Sequence, residues 1–156
     1  MAAHYFERSR TYPVSEEVAF DRTLAYPLPK LFRHRFGPIP AIKDVREQLG
    51  DFDTAGDART IVLKGGATMR EELVEVDRPW VFRYRITDIT GPMKPLVDHV
   101  EGSWSFEPIG TGVRITWVWN VHPRSSASER VLPILRRFWS GYARRALEVL
   151  EGELVR

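Results

Sequence analysis

The strongest pattern in the chain is a strict alternation over residues 113–121. Val113, Ile115, Trp117, Trp119 and Val121 fall on one parity, and Arg114, Thr116, Val118 and Asn120 on the other. Successive side chains of a strand point to opposite faces, so this run predicts a strand with one very apolar face. β-rich runs precede it at 59–64, 68–76, 80–89 and 100–106. Gly65-Gly66, Asp77-Arg78-Pro79 and the Gly91-Pro92 to Pro95 stretch separate them, as does the turn at 107–112. Short links of this composition join antiparallel neighbours, while Gly91-Pro92 and Pro95 mark a longer connection. Past Pro123 the period changes. Val131, Leu135, Phe138, Tyr142, Ala146 and Leu150 recur every three or four residues, which predicts one long helix over 128–155 with a single apolar face. Arg136, Arg137, Arg144 and Arg145 lie off that line and read as its solvated side.

The first third is less regular. Phe6, Arg8, Arg10 and Tyr12 share a parity in a weak strand over 4–12. Ser15 followed by Glu16 and Glu17 is a helix start, because a hydroxyl satisfies orphan amides and acids complement the helix dipole. Pro27 and Pro29 stop that helix. Residues 31–40 are aromatic, basic and broken by Gly37, Pro38 and Pro40, which suits an irregular or short helical segment. A poorly marked strand follows over 42–48, then turn composition over 51–57. The order is strand, short helices, antiparallel strands, long helix: one α+β domain over residues 1–156.

Composition narrows the function classes. Aromatics make up 12% of 156 residues, with five Trp, which suits cores and ligand pockets alike. The net charge is only +2 with acids and bases interleaved, so no stripe for nucleic acid is expected. The chain has no cysteine, which excludes disulfides and thiolate chemistry. No apolar run is long enough to span a bilayer, and the first ten residues lack the apolar core of a secretory signal, so a cytoplasmic location is expected. HExxH, GxSxG and Walker A motifs are absent. His4, His34, His99 and His122 are scattered, and neither a metal site nor a cofactor is expected. Asp98 and His99 are strand neighbours and should point to opposite faces, a poor acid–base pair.

In its sequence the chain resembles the START-like, helix-grip superfamily (SRPBCC), and within it the polyketide cyclase/dehydrase and lipid-transport group. The resemblance rests on Tyr12-Pro-Val-Ser-Glu-Glu-Val-Ala-Phe20, on Gly56-x-x-Arg59 with Gly66 and Glu71-Glu72-Leu73, and on Asp77-Arg-Pro79 before Phe82-x-Tyr84. Gly91-Pro92, Trp104-x-Phe106-x-Pro108 and Gly110-Thr-Gly112-x-x-x-x-Trp117 complete it. It implies a curved antiparallel sheet wrapped around the terminal helix, two short helices near the N-terminus, and a cavity between sheet and helix for an apolar small molecule such as a lipid, polyketide or aromatic metabolite. Small Ala143 and Ala146 on the helix, opposite large aromatics, are compatible with such a void.

Register supplies candidate polar residues. If Gly65-Gly66 is a two-residue turn, Ile61 faces Arg70 and Arg59 faces Glu72. If Val76 and Trp80 flank the next turn, Val74 faces Phe82 and Glu72 faces Tyr84. Arg59, Glu72 and Tyr84 then form a row on the inner face, with Arg70, Val74 and Val76 on the same parity. In the opposite register Met69, Glu71 and Leu73 point inward instead. Trp104, Trp117, Trp119, Phe82, Phe138 and Tyr142 are expected to supply apolar walls. Three functions follow: a binder of an apolar ligand; an enzyme of the cyclase/dehydratase type, with Arg59 or Arg70 stabilising an enolate and Glu72 or Tyr84 moving protons; or a protein-interaction module.

Overall fold

The structure is a computed structural model that describes residues 2–155. Its strands are β1 (His4–Tyr12), β2 (Ile42–Leu49), β3 (Ala58–Leu63), β4 (Thr68–Asp77), β5 (Val81–Thr87), β6 (Val97–Ile109) and β7 (Gly112–Pro123). They form one antiparallel sheet in the order β1-β7-β6-β5-β4-β3-β2. Helices α1 (Glu16–Ala25) and α2 (Leu28–Leu31) bridge β1 to β2, and α3 (Ser126–Glu129) and α4 (Leu132–Leu154) close the chain.

Local chemistry explains the helix ends. Ser15 Oγ accepts a hydrogen bond from the Val18 amide and caps α1. Proline ends that helix but also opens the next: Pro27 is the residue before α2 and Pro29 sits in its first turn, where a missing N–H costs nothing. The long terminal helix does not begin at Ser128 as expected. Ser125 and Ser128 form a reciprocal capping box around α3, and the helix restarts at Leu132 with Pro133 in its first turn.

α4 lies on the sheet's inner face. The Tyr12 hydroxyl donates to the Leu147 carbonyl at 2.7 Å, tying β1 to the helix. Leu132, Leu135, Trp139, Tyr142, Ala146 and Leu150 are buried along one line. Trp139, not the expected Phe138, is the ring that meets the sheet, 4.8 Å from Trp117 and 5.7 Å from Phe6. Phe138 is half-buried and covers Gly37, whose bare backbone makes room for its ring.

The β3–β4 register differs from expectation by one residue. The Leu63 amide donates to the Ala67 carbonyl at 2.8 Å, enclosing a three-residue loop, Lys64-Gly65-Gly66. Both glycines have left-handed φ, 103° and 98°, a conformation that strongly favours glycine. Arg59 therefore pairs with Glu71, Thr60 with Arg70 and Ile61 with Met69. A one-residue change of register flips every side chain of a strand. Arg70 and Glu72 accordingly leave the inner face. Arg70 instead donates to Thr60 Oγ1 and the Glu47 carbonyl, and Glu72 is exposed. Val74 shares that outward parity, and Leu73, not the expected Glu72, faces Tyr84. A bulge between Leu73 and Glu75 then returns Val76 to the inner side, so that Val76 rather than the expected Val74 lies opposite Phe82.

Candidate functional site

A cavity lies between the inner face of the sheet, the α1–α2 segment and α4. It holds about 790 Å³ of free space counting its mouth, of which about 80 Å³ is wide enough for the centre of a water molecule. The space is thus a narrow slot rather than an open chamber. Trp104, Trp117, Trp119, Phe82, Tyr84, Tyr142 and Arg59 line it, as their expected inward positions require. Arg70, Glu72 and Phe138 do not. Glu71, which lines it, was reached from sequence only through the opposite register.

Flat rings form much of the wall. Trp104 and Trp117, opposite each other on β6 and β7, stack at 5.1 Å with planes 13° apart. Phe32, from the irregular segment after α2, stacks on Tyr142 at 5.5 Å and 9°. The remainder is aliphatic, including Leu31, Ile61, Met69 and Ile86.

Three polar features interrupt this surface. First, Arg59 Nε donates to Glu71 Oε1 at 2.6 Å, with side-chain exposures of 11% and 7%. The Arg59 guanidinium also lies 3.6 Å from the centre of the Phe52 ring, a cation–π contact from a segment that reads in sequence only as a turn. Second, the Tyr84 hydroxyl accepts two hydrogen bonds, from Trp117 Nε1 at 2.6 Å and Trp119 Nε1 at 2.8 Å. Burial holds the Tyr84 phenol well above the ordinary tyrosine range, and the nearby Glu71 charge adds to this against the two indole donors. It therefore stays protonated. Its ring also requires Gly102 opposite it, because any side chain there would collide with it. Third, Thr23 Oγ1 is buried at the wall with no hydrogen-bond partner among the described residues.

With this geometry established, comparison with known proteins places the chain. Residues 3–155 match the polyketide cyclase/dehydrase and lipid-transport family. The chain belongs to that family. It shares the helix-grip fold of the SRPBCC superfamily, a fold that holds hydrophobic ligands. Norcoclaurine synthase from Thalictrum flavum, in complex with dopamine and hydroxybenzaldehyde, superposes with a TM-score of 0.74 at 14% identity, over 98% of this chain and 87% of that one. The major latex-like protein 151 of Panax ginseng gives 0.71 at 11% identity, over 99% of each chain. Ara h 8.0201 gives 0.67 at 18% identity, over 98% of each. No curated protein sequence matches. Among the described residues no helix is long and apolar enough to cross a membrane.

Proposed function

We propose that the cavity binds a flat, largely apolar small molecule, of the lipid, polyketide or aromatic-metabolite kind, that carries at least one oxygen acceptor. One observation carries this reading. The Tyr84 hydroxyl takes two indole N–H donors, yet its own proton has no acceptor among the described residues. A neutral phenol polarised in this way, inside an apolar slot, is a directed donor for a ligand carbonyl or hydroxyl. The orphan Thr23 hydroxyl supplies a second polar contact. The aromatic faces in the wall favour a planar occupant. The related fold of norcoclaurine synthase, seen with two small aromatic compounds, supports that choice.

A second reading, cyclase or dehydratase chemistry on such a ligand, is favoured by Glu71. Its carboxylate opens on the same cavity as the Tyr84 donor. A carboxylate removing a proton next to a carbonyl, with a phenol stabilising the resulting enolate, is a sound division of labour. Arg59 holds the carboxylate in place.

The test is native mass spectrometry of the protein purified from its own host, followed by titration of the retained molecule into stripped protein. Trp104, Trp117 and Trp119 stand in the wall, so occupancy should change tryptophan emission. Tyr84→Phe should weaken binding by one hydrogen bond, about 3- to 10-fold. If Glu71→Gln binds normally but stops conversion of the molecule, the enzyme reading holds. A protein that retains nothing, and whose emission ignores planar apolar compounds, would overturn both readings.

A further inference from the structure

The outer face of the sheet, opposite the cavity, carries a cluster that the sequence hides. His99 and His122 are far apart in the chain, but β6 and β7 place them directly opposite each other. Their rings stack at 4.0 Å with planes 14° apart. Glu101, two residues along β6 from His99, shares their face, and its Oε1 lies 2.5 Å from His122 Nε2. One ligand atom from each of the three lies within 4.8 Å of the other two.

The surroundings of His99 point the same way. A register shift between Val97 and His99 breaks strict alternation, so Asp98 reaches its neighbour after all: Asp98 Oδ2 is 2.7 Å from His99 Nδ1. A carboxylate on Nδ1 holds the proton there and leaves the Nε2 lone pair free. Metal-binding histidines are commonly oriented in this way. Arg124 sits 3.7 Å from the other oxygen of Asp98 and steadies the carboxylate from behind.

We propose that His99, Glu101 and His122 form a surface site for a divalent ion of the zinc class. Two imidazoles and one carboxylate, with a fourth position open to solvent, are a donor set that zinc accepts. Tetrahedral donors about zinc lie about 3.3 Å apart, so small side-chain rotations bring the three together. The ion takes the place of the direct contact between His122 Nε2 and Glu101 Oε1. Arg124 and Arg85, which pairs with Glu101 across β5 and β6, add positive charge nearby and lower the affinity. An occupied site clamps β6 to β7.

The experiment uses untagged protein titrated with zinc chloride by calorimetry and native mass spectrometry. One zinc per chain is expected, with a rise in melting temperature that magnesium does not reproduce, because magnesium prefers oxygen ligands. His99→Ala and His122→Ala should abolish it, and Asp98→Asn should weaken it about 10- to 100-fold. In the unaltered protein, zinc should shift the ring-nitrogen resonances of His99 and His122 and leave those of His4 and His34 in place, a readout that needs no variant. Absence of one-to-one binding, binding that survives His122→Ala, or a shift confined to His4 or His34 would overturn the proposal.

Discussion

Arg59 and Glu71 face each other at 2.6 Å on a wall that is otherwise hydrocarbon and aromatic ring. Withdrawing both charges from water costs several kcal/mol, and their attraction offsets this only in good geometry. Glu71→Gln removes one charge and strands the other against Phe52, so it should destabilise the protein by about 3–5 kcal/mol in a urea titration. Glu72→Gln, one residue along on the exposed face, should change stability by less than about 0.5 kcal/mol. The contrast tests the register directly, because the two-residue turn predicts the reverse. Replacing both partners, Arg59→Met with Glu71→Leu, should restore or raise stability, since a buried pair is no better than well-packed hydrophobes. Gly102 is the other decisive residue. Gly102→Ala puts a methyl group into the Tyr84 ring, which must swing off the two indoles. Ligand binding should fall further in this variant than in Tyr84→Phe, which keeps the ring in place.

Glycine also decides how α4 meets its neighbours. A helix-interior glycine is ordinarily about 1 kcal/mol less favourable than alanine. Gly141 nevertheless sits inside α4, because the Phe36 ring lies where its Cβ would be. Gly141→Ala should therefore lower stability by about 1–3 kcal/mol, against its helix propensity, through overpacking; a urea midpoint measures the sign. Such contacts mark the limit of what the pattern of residues conveys. The alternation of β7, the Ser15 cap and the order of strands were all legible, because each rests on local period or local hydrogen bonding. The inner face of β4 was not. Gly65-Gly66 allows a two- or a three-residue loop with similar backbone conformations, and the choice moves Glu71 and Glu72 to opposite faces. Phe138 and Trp139 pose the same difficulty on a helix, because between Leu135 and Tyr142 either one continues the three- or four-residue spacing. The His99–His122 pair was within reach. Reading Gly110-Thr111 as a two-residue turn sets Ile109 against Gly112, and the same register brings the histidines together.

Across the whole molecule, three buried tyrosines link parts that must separate on unfolding. Tyr12 joins β1 to α4 through the Leu147 carbonyl, Tyr84 sits at the centre of the sheet under two indoles, and Tyr142 faces the cavity from α4. Burial raises the pKa of all three above the ordinary tyrosine value of about 10. The sign of the resulting pH dependence follows. Above pH 10 the unfolded chain releases these phenolic protons while the folded chain keeps them, so the folded state binds more protons. Their contribution is fully present below about pH 10 and is lost as pH climbs beyond it. The three groups are dispersed across sheet and helix, so none can ionise without opening the common core. Spectrophotometric titration with alkali should show their phenolate absorbance appearing in one cooperative step, coincident with loss of near-ultraviolet circular dichroism. Bound ligand should move that step to higher pH, because an occupant of the cavity favours the folded form. Phenolate signals that appear one by one, with the aromatic dichroism still intact, would mean that the slot opens to water without unfolding; the Tyr84 donor would then lie in a wet cleft.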